Sequence, residues 1–225
     1  MDRAAPRPAA VLFDVGNTLI LASPRFWLFP LLAERGLKPT RDPRAAALEA
    51  FRFYEAHHLL ARNLETALGL WREFHRRLLV GMGLEAHAEA LSAELIARWR
   101  DPRIWPLAPG AEATLKALTE RGYLLAAVSN WDATLPEILE VVGLRSYFQH
   151  LAVSALSGVA KPDPRLFQEA LSALGVAPEE AVHVGDAEAD LLGAEAAGVR
   201  PLLFDPLGEN PRALHRLEGV LDYLP

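Results

Sequence analysis

The chain contains no cysteine. That removes disulfides, thiolate metal sites and cysteine nucleophiles, and it agrees with a reducing, cytoplasmic setting. Lysine is nearly as scarce: Lys38, Lys116 and Lys161 are the whole set. Basic charge therefore rests on arginine, no long basic block occurs, and the formal net charge is −6. Neither nucleic acid nor an anionic membrane surface is an expected partner. No apolar run is long enough to span a bilayer. Met1–Pro8 carries two prolines and two arginines without the apolar segment of a secretion signal, and is expected to be a short tail. What remains is a soluble composition, half of it hydrophobic, with enough chain for a substantial buried core.

Val11-Leu12-Phe13 is an apolar run that stops at Asp14; the chain turns through Gly16-Asn17, and apolar residues resume at Leu19. A run without polar alternation fits a strand covered on both faces, as in a parallel sheet. Between about 24 and 100, apolar residues recur three and four apart in four segments (26–32, 45–60, 66–80 and 88–99), divided by Gly36, Pro39 and Gly81-Met82-Gly83. Four amphipathic helices forming a small bundle are predicted. After Pro109 the pattern alternates. Helices are expected over 111–121, from an Asp132 N-cap through Leu139, over 164–174, from about 187 to 197, and over 211–217. Strands are expected over 123–128, 150–153, 181–184 and 200–204. Short strand–helix connections predict an α/β fold, a Rossmann-like doubly wound parallel sheet, with the helical bundle inserted after strand one. The expected division is 1–18 and 104–225 for the α/β domain and 19–103 for the helical one.

Polar residues stand at the strand exits: Asp14, Ser129-Asn130, Lys161 in the loop after the third strand, and Asp186 with Asp190 four residues on. The carboxyl ends of a parallel sheet lie along one edge, so these residues can converge across about 170 positions of sequence. Asp14, Asp186 and Asp190 suit an oxygen-ligand site for Mg²⁺. A hydroxyl, turn amides and one ammonium are what a phosphate group needs. Each position also has a plain structural reading: a turn cap at Asp14, an acidic helix N-terminus at Asp186-x3-Asp190, a surface turn at Lys161-Pro162.

Asp14-x3-Thr18-Leu19, Ser129-Asn130, Lys161-Pro162 and Gly185-Asp186-x3-Asp190 resemble, in order and spacing, the four motifs of the haloacid dehalogenase-like hydrolase superfamily. The inserted helices resemble the cap of the subfamily that includes phosphoglycolate phosphatases, β-phosphoglucomutases and 2-haloacid dehalogenases. The resemblance implies that Asp14 is the nucleophile, forming an aspartyl-phosphate that water cleaves. It implies that Mg²⁺ is held by Asp14, the Gly16 carbonyl and Asp186, with Asp190 in support. Ser129, Asn130 and Thr18 would contact the phosphoryl group, Lys161 would neutralise Asp14 and the phosphate, and the substrate would be a small phosphorylated molecule bound by a monomer or homodimer.

One position departs from the family. Phosphatases of this type carry a second Asp two residues after the nucleophile, which protonates the leaving oxygen; here Gly16 stands there. Losing such an acid typically costs on the order of 10²–10⁴ in rate. Three readings follow: a slow Mg²⁺-dependent phosphatase, a catalytically impaired protein that binds a phosphorylated ligand or a protein partner, or a 2-haloacid dehalogenase. The cap offers His57, His58 and Glu55 as substitute acid–base groups, and Arg25, Arg41 and Arg52 as contacts for an anionic substrate. Lys38 is the one cap lysine that phosphonate cleavage through a Schiff base could use. The metal acids favour the phosphatase.

Overall fold

The computed structural model describes residues 9–206 and 210–224, so the tail 1–8 lies outside the described residues. The chain opens on strand β1 (Ala10–Phe13), passes through helices α1 (Pro24–Glu34), α2 (Pro43–His57), α3 (Leu64–Gly81) and α4 (Ala88–Ala97), and reaches α5 (Ala111–Glu120). It then alternates through β2 (Leu124–Ser129), α6 (Leu135–Val141), β3 (His150–Val153), α7 (Ser154–Ser157), α8 (Pro164–Leu174), β4 (Ala181–Gly185), α9 (Glu188–Ala196) and β5 (Arg200–Leu203). The five strands among the described residues are all parallel, in the order β3-β2-β1-β4-β5. The chain runs outward from β1 to β2 and β3, then returns to lay β4 on the other side of β1. That reversal opens a crevice at the carboxyl ends of β1 and β4, where open α/β sheets take their ligands.

The apolar run of β1 serves both faces. Val11 and Phe13 join a core with Leu115 of α5 and Ile138 of α6, while Ala10 and Leu12 join another with Phe167 of α8 and Ala194 of α9. Alternation of period two thus places successive side chains in two different apolar layers, which is why no polar residue interrupts the strand.

Helices α1–α4 enclose a third cluster, with Leu28, Ala50, Phe74, Leu78 and Leu95 at its centre. The segment leaves and rejoins the sheet through two paired connections: Ile20 bridges Leu107 in antiparallel fashion, Leu21 N donates to the Pro106 carbonyl at 2.8 Å, and Ala108 N to that of Leu19 at 2.9 Å. The turn after α2 docks back on the sheet edge, where Ala133 N donates to the Ala61 carbonyl at 3.0 Å and Arg62 Nε to that of Ala155 at 3.1 Å. No described helix is long and apolar enough to cross a membrane.

Two local expectations fail. Asp132 does not cap α6: Thr134 holds the N-cap position, and the Asp132 carboxylate accepts from Thr134 N at 2.8 Å and from the Tyr54 hydroxyl at 2.8 Å. The expected helix 211–217 is absent. Leu214 instead extends the sheet, donating to the Leu203 carbonyl at 2.7 Å and accepting from Asp205 N at 2.8 Å, and that extended backbone cannot also be helical; a 3-10 helix follows at Leu217–Tyr223.

Candidate active site

Asp14 leaves β1 at the crevice with its backbone N–H tied to the Val184 carbonyl of β4 at 2.9 Å. Two donors meet its Oδ1: Lys161 Nζ, from the loop between α7 and α8, at 2.6 Å and the Ser129 hydroxyl at the end of β2 at 3.2 Å. Burial pushes the Asp14 carboxyl above its ordinary range, against the pull of Lys161. Both donors sit on Oδ1, which leaves Oδ2 as the oxygen turned to other work.

Lys161 is buried and pinned at both ends. Its backbone N–H donates to Asn130 Oδ1 at 2.7 Å and its carbonyl accepts from Asn130 Nδ2 at 3.0 Å, a reciprocal pair that spends the Asn130 side chain on holding the loop. Its ammonium donates to Asp190 Oδ1 at 2.6 Å as well as to Asp14. Burial alone would lower the Lys161 pKa, but the two carboxylates outweigh it and hold it above the usual value. Asp190 in turn accepts from His183 Nε2 at 2.8 Å and from Ala187 N at 3.1 Å. Burial would raise the Asp190 carboxyl; Lys161 and His183 reverse this and hold it well below the carboxylate range. The close approach requires glycine at the end of β4, since a Cβ on Gly185 would collide with the Asp190 carboxyl group.

Asp186 completes the acidic group. Oxygens of Asp14, Asp186 and Asp190 all lie within 4.8 Å of one another. Burial, then the charges of Asp14 and Asp190, push the Asp186 carboxyl up to about 7. An excess of buried negative charge with oxygen donors fits a hard divalent cation such as Mg²⁺, whose opposite ligands stand about 4.2 Å apart. Both Asp190 oxygens already accept hydrogen bonds, so this residue is placed to anchor Lys161, and any ligation by it would be shared with those donors.

These groups open on a cleft of about 490 Å³ between the sheet edge and helices α2 and α3. Asp14, Gly16, Ser129, Asn130, Lys161, Asp186 and Asp190 all line it. Thr18, expected at the substrate, does not: its side chain is fully buried behind the turn. Of the cap candidates, Glu55 and His58 reach the cleft, whereas His57 is exposed with its ring on the Phe53 carbonyl. The three arginines are elsewhere. Arg41 pairs with Glu85 at 2.6 Å, Arg25 lies over the Phe26 ring, Arg52 is exposed, and neither they nor Lys38 line the cleft.

Two features of the site escape sequence reasoning. His183 sits on the buried strand β4, its ring edge-on to Phe167, and a polar residue between Val182 and Val184 is the one signal that marks it. The buried Tyr54–Asp132 hydrogen bond joins α2 to the loop after β2 across 78 residues, and nothing local marks it.

A family model described as haloacid dehalogenase-like hydrolase matches residues 8–198. The chain is 43% identical over 155 residues to haloacid dehalogenase-like hydrolase domain-containing protein 3 of Bos taurus, which covers 62% of each chain. It is 41% identical over 147 residues to a phosphoserine phosphatase of Thermus thermophilus, covering 62% of this chain and 58% of that one. These two matches span less than two thirds of either relative's length. A glyceraldehyde 3-phosphate phosphatase of Methanopyrus kandleri is 34% identical over 198 residues, covering 84% of this chain and 81% of that one. Among solved structures, a dehalogenase with an intermediate complex superposes with a TM-score of 0.75 at 21% identity, covering 97% of both chains, a likeness of fold.

Proposed function

The chain belongs to the haloacid dehalogenase-like hydrolase family, and from that premise we propose that it hydrolyses the phosphate monoester of a small molecule through a phosphoryl group carried on Asp14. The observation that supports this most is the meeting of Lys161 and Ser129 on Asp14 Oδ1 with two further acids beside them. Relatives named as phosphatases support the reaction class. Asp14 Oδ2 attacks phosphorus in line, the bond from phosphorus to the leaving oxygen breaks, and that oxygen keeps the electron pair and takes a proton from water. A water oxygen then attacks the same phosphorus, the bond to Asp14 breaks, and the water proton passes to phosphate or solvent. Lys161 and Ser129 stabilise charge on the transferred oxygens. Asp14, Asp186 and the Gly16 carbonyl would hold Mg²⁺, which would supply further charge neutralisation. Helices α1–α4 act as the cap that excludes water and selects substrate.

The test is hydrolysis of an activated aryl phosphate with Mg²⁺ and with chelator. Turnover that needs the metal is expected; hydrolysis unaffected by chelator would overturn the reading.

Gly16 supplies no side-chain acid at the position two residues after Asp14. A Cβ there would lie 3.5 Å from the Trp131 ring, ordinary contact, and Gly16 is not among the glycines of positive φ, so Gly16→Asp should fold. Its expected effect is a gain of up to about 10²-fold in kcat on alkyl phosphates and a smaller one on aryl phosphates, which leave without a proton. Equal gains on both would show that the new carboxylate does something other than protonate the leaving oxygen.

Metal binding should also follow pH in a defined direction. With Asp186 raised to about 7 against an ordinary 3.8, the folded metal-free protein binds a proton that the unfolded chain releases, so this group's contribution to stability falls as pH rises between those values. Mg²⁺ competes with that proton. The rise in Tm on adding Mg²⁺ is therefore expected to be larger at pH 8 than at pH 5, and to be lost in Asp186→Asn. Thermal unfolding at both pH values checks this.

A further inference from the structure

The cleft has two chemically different ends. At the sheet edge stand Asp14, Ser129 and Lys161. The facing wall, from α2, the turn after it, α3 and the loop after β2, is made by Phe51, Tyr54, Leu59, Trp71 and Trp131. Its rings support one another, with centroids 4.9 Å apart for Tyr54 and Trp71 and 6.2 Å for Trp71 and Trp131. Phe51, Trp71 and Trp131 also line a small apolar recess behind the cleft, so the wall continues inward.

Charge narrows the occupant further. Among the described residues Lys161 is the one Lys or Arg that lines the cleft, and its ammonium is already shared between Asp14 and Asp190. Four carboxylates line the same space, Glu55 among them on the cap side. Burial holds His58 below its usual pKa, so it adds no positive charge at neutral pH. A divalent cation and Lys161 together offset three of the four carboxylates before any phosphate enters. A second anionic group on the substrate would meet no cation, and desolvating it against aromatic faces is unfavourable.

We propose that the preferred substrate is a phosphate monoester whose leaving group is neutral or cationic and presents an apolar or aromatic face to the Phe51–Tyr54–Trp71–Trp131 wall, with monoesters that carry a second anion selected against. This rests on the phosphatase reading above. Aromatic faces accept rings by stacking and ammonium groups by cation–π attraction, and Glu55 offers a partner for a hydroxyl or ammonium.

Two matched pairs test it with the full chain and Mg²⁺. Benzyl and ethyl phosphate have alcohols of similar acidity and differ in the ring; phosphoethanolamine and phosphoserine differ in a carboxylate. The expected kcat/KM ratios are about tenfold or more for benzyl over ethyl and for phosphoethanolamine over phosphoserine. Glu55→Arg, at an exposed position that tolerates the change, should shrink or reverse the second ratio while leaving the first. Phosphoserine turned over as well as phosphoethanolamine, or ethyl phosphate as well as benzyl phosphate, would overturn the proposal and leave the phosphatase reading standing. If no monoester is turned over, the phosphatase reading has failed, and calorimetric binding of benzylphosphonate against phosphonoacetate decides the cleft's preference separately: tighter benzylphosphonate supports it, tighter phosphonoacetate overturns it.

Discussion

Asp14→Asn is expected to lower kcat on any phosphate monoester by on the order of 10⁴-fold or more, the scale seen when a covalent nucleophile is removed. The amide keeps the shape of the carboxyl and still accepts from Ser129 and Lys161, but its oxygen is a poor nucleophile. The same change removes one of three crowded acids, and burial already holds the Asp14 carboxyl above its ordinary range, so its charge is carried at a cost. Lys161 keeps Asp190 as a partner. The variant should therefore fold, with a Tm no lower than wild type in chelator, and activity and stability should part company. A thermal melt beside an aryl phosphate assay reads both. A variant that is inactive because it is unfolded would contradict the placement of Asp14 as a reacting group on a sound scaffold.

Lys161→Met is expected to do the opposite, losing stability along with activity. Its side chain is 4% exposed and bridges Asp14 and Asp190, whose side chains are 8% and 2% exposed. Removing one member of a buried ionic group strands the others, at a cost of about 3–5 kcal/mol. For a chain of this size that corresponds to a Tm lower by on the order of 10 °C. The pH window follows from the direction of each shift. Lys161 is raised above its ordinary 10.5, so its contribution is fully present below that pH and fades only above it. Asp190 is depressed below its ordinary 3.8, so its contribution is present above that pH and fades only below it. Asp14 and Asp186, both held above their ordinary values, lose the neighbouring charge that lowers them when Lys161 is removed, so the folded variant keeps protons that wild type releases and the deficit of Lys161→Met should grow as pH rises from about 5 to about 9. In the double variant Asp14→Asn/Lys161→Met part of it should return, because one stranded charge is gone. Denaturant melts of the four proteins measure this; no recovery in the double variant would mean that Lys161 acts mainly through Asp190.

The parts of the fold legible in the sequence are those with local causes. Helix α8 begins at Pro164 behind its Asp163 cap and stops at Gly175, and β3 occupies His150–Val153, because turn chemistry and apolar runs mark both without help from elsewhere. The strand-end residues group together on sequence grounds because a parallel sheet gathers its carboxyl ends along one edge whatever the loop lengths. Where distant partners decide, the sequence is silent. Asp132 reads as a cap until Tyr54, 78 residues earlier, takes its carboxylate. Residues 211–217 read as a helix until β5 takes Leu214 as an extension of the sheet. Arg25, Arg41 and Arg52 have the right charge for an anionic substrate, but only the packing of α1–α4 shows that they stay out of the cleft. Asn130 is expected from its motif to meet the phosphoryl group; that its side chain also holds the Lys161 loop is a use nothing in the motif marks.

The central claim, that a phosphoryl group passes through Asp14, has a direct test. Wild-type protein turning over an aryl phosphate with Mg²⁺ is quenched in acid, digested and examined by mass spectrometry for a phosphoryl adduct. The account predicts the adduct on the peptide containing Asp14, absent when chelator replaces Mg²⁺ and absent in Asp14→Asn. Phosphate released at the same rate with no adduct on that peptide, or with the adduct on another residue, would contradict it.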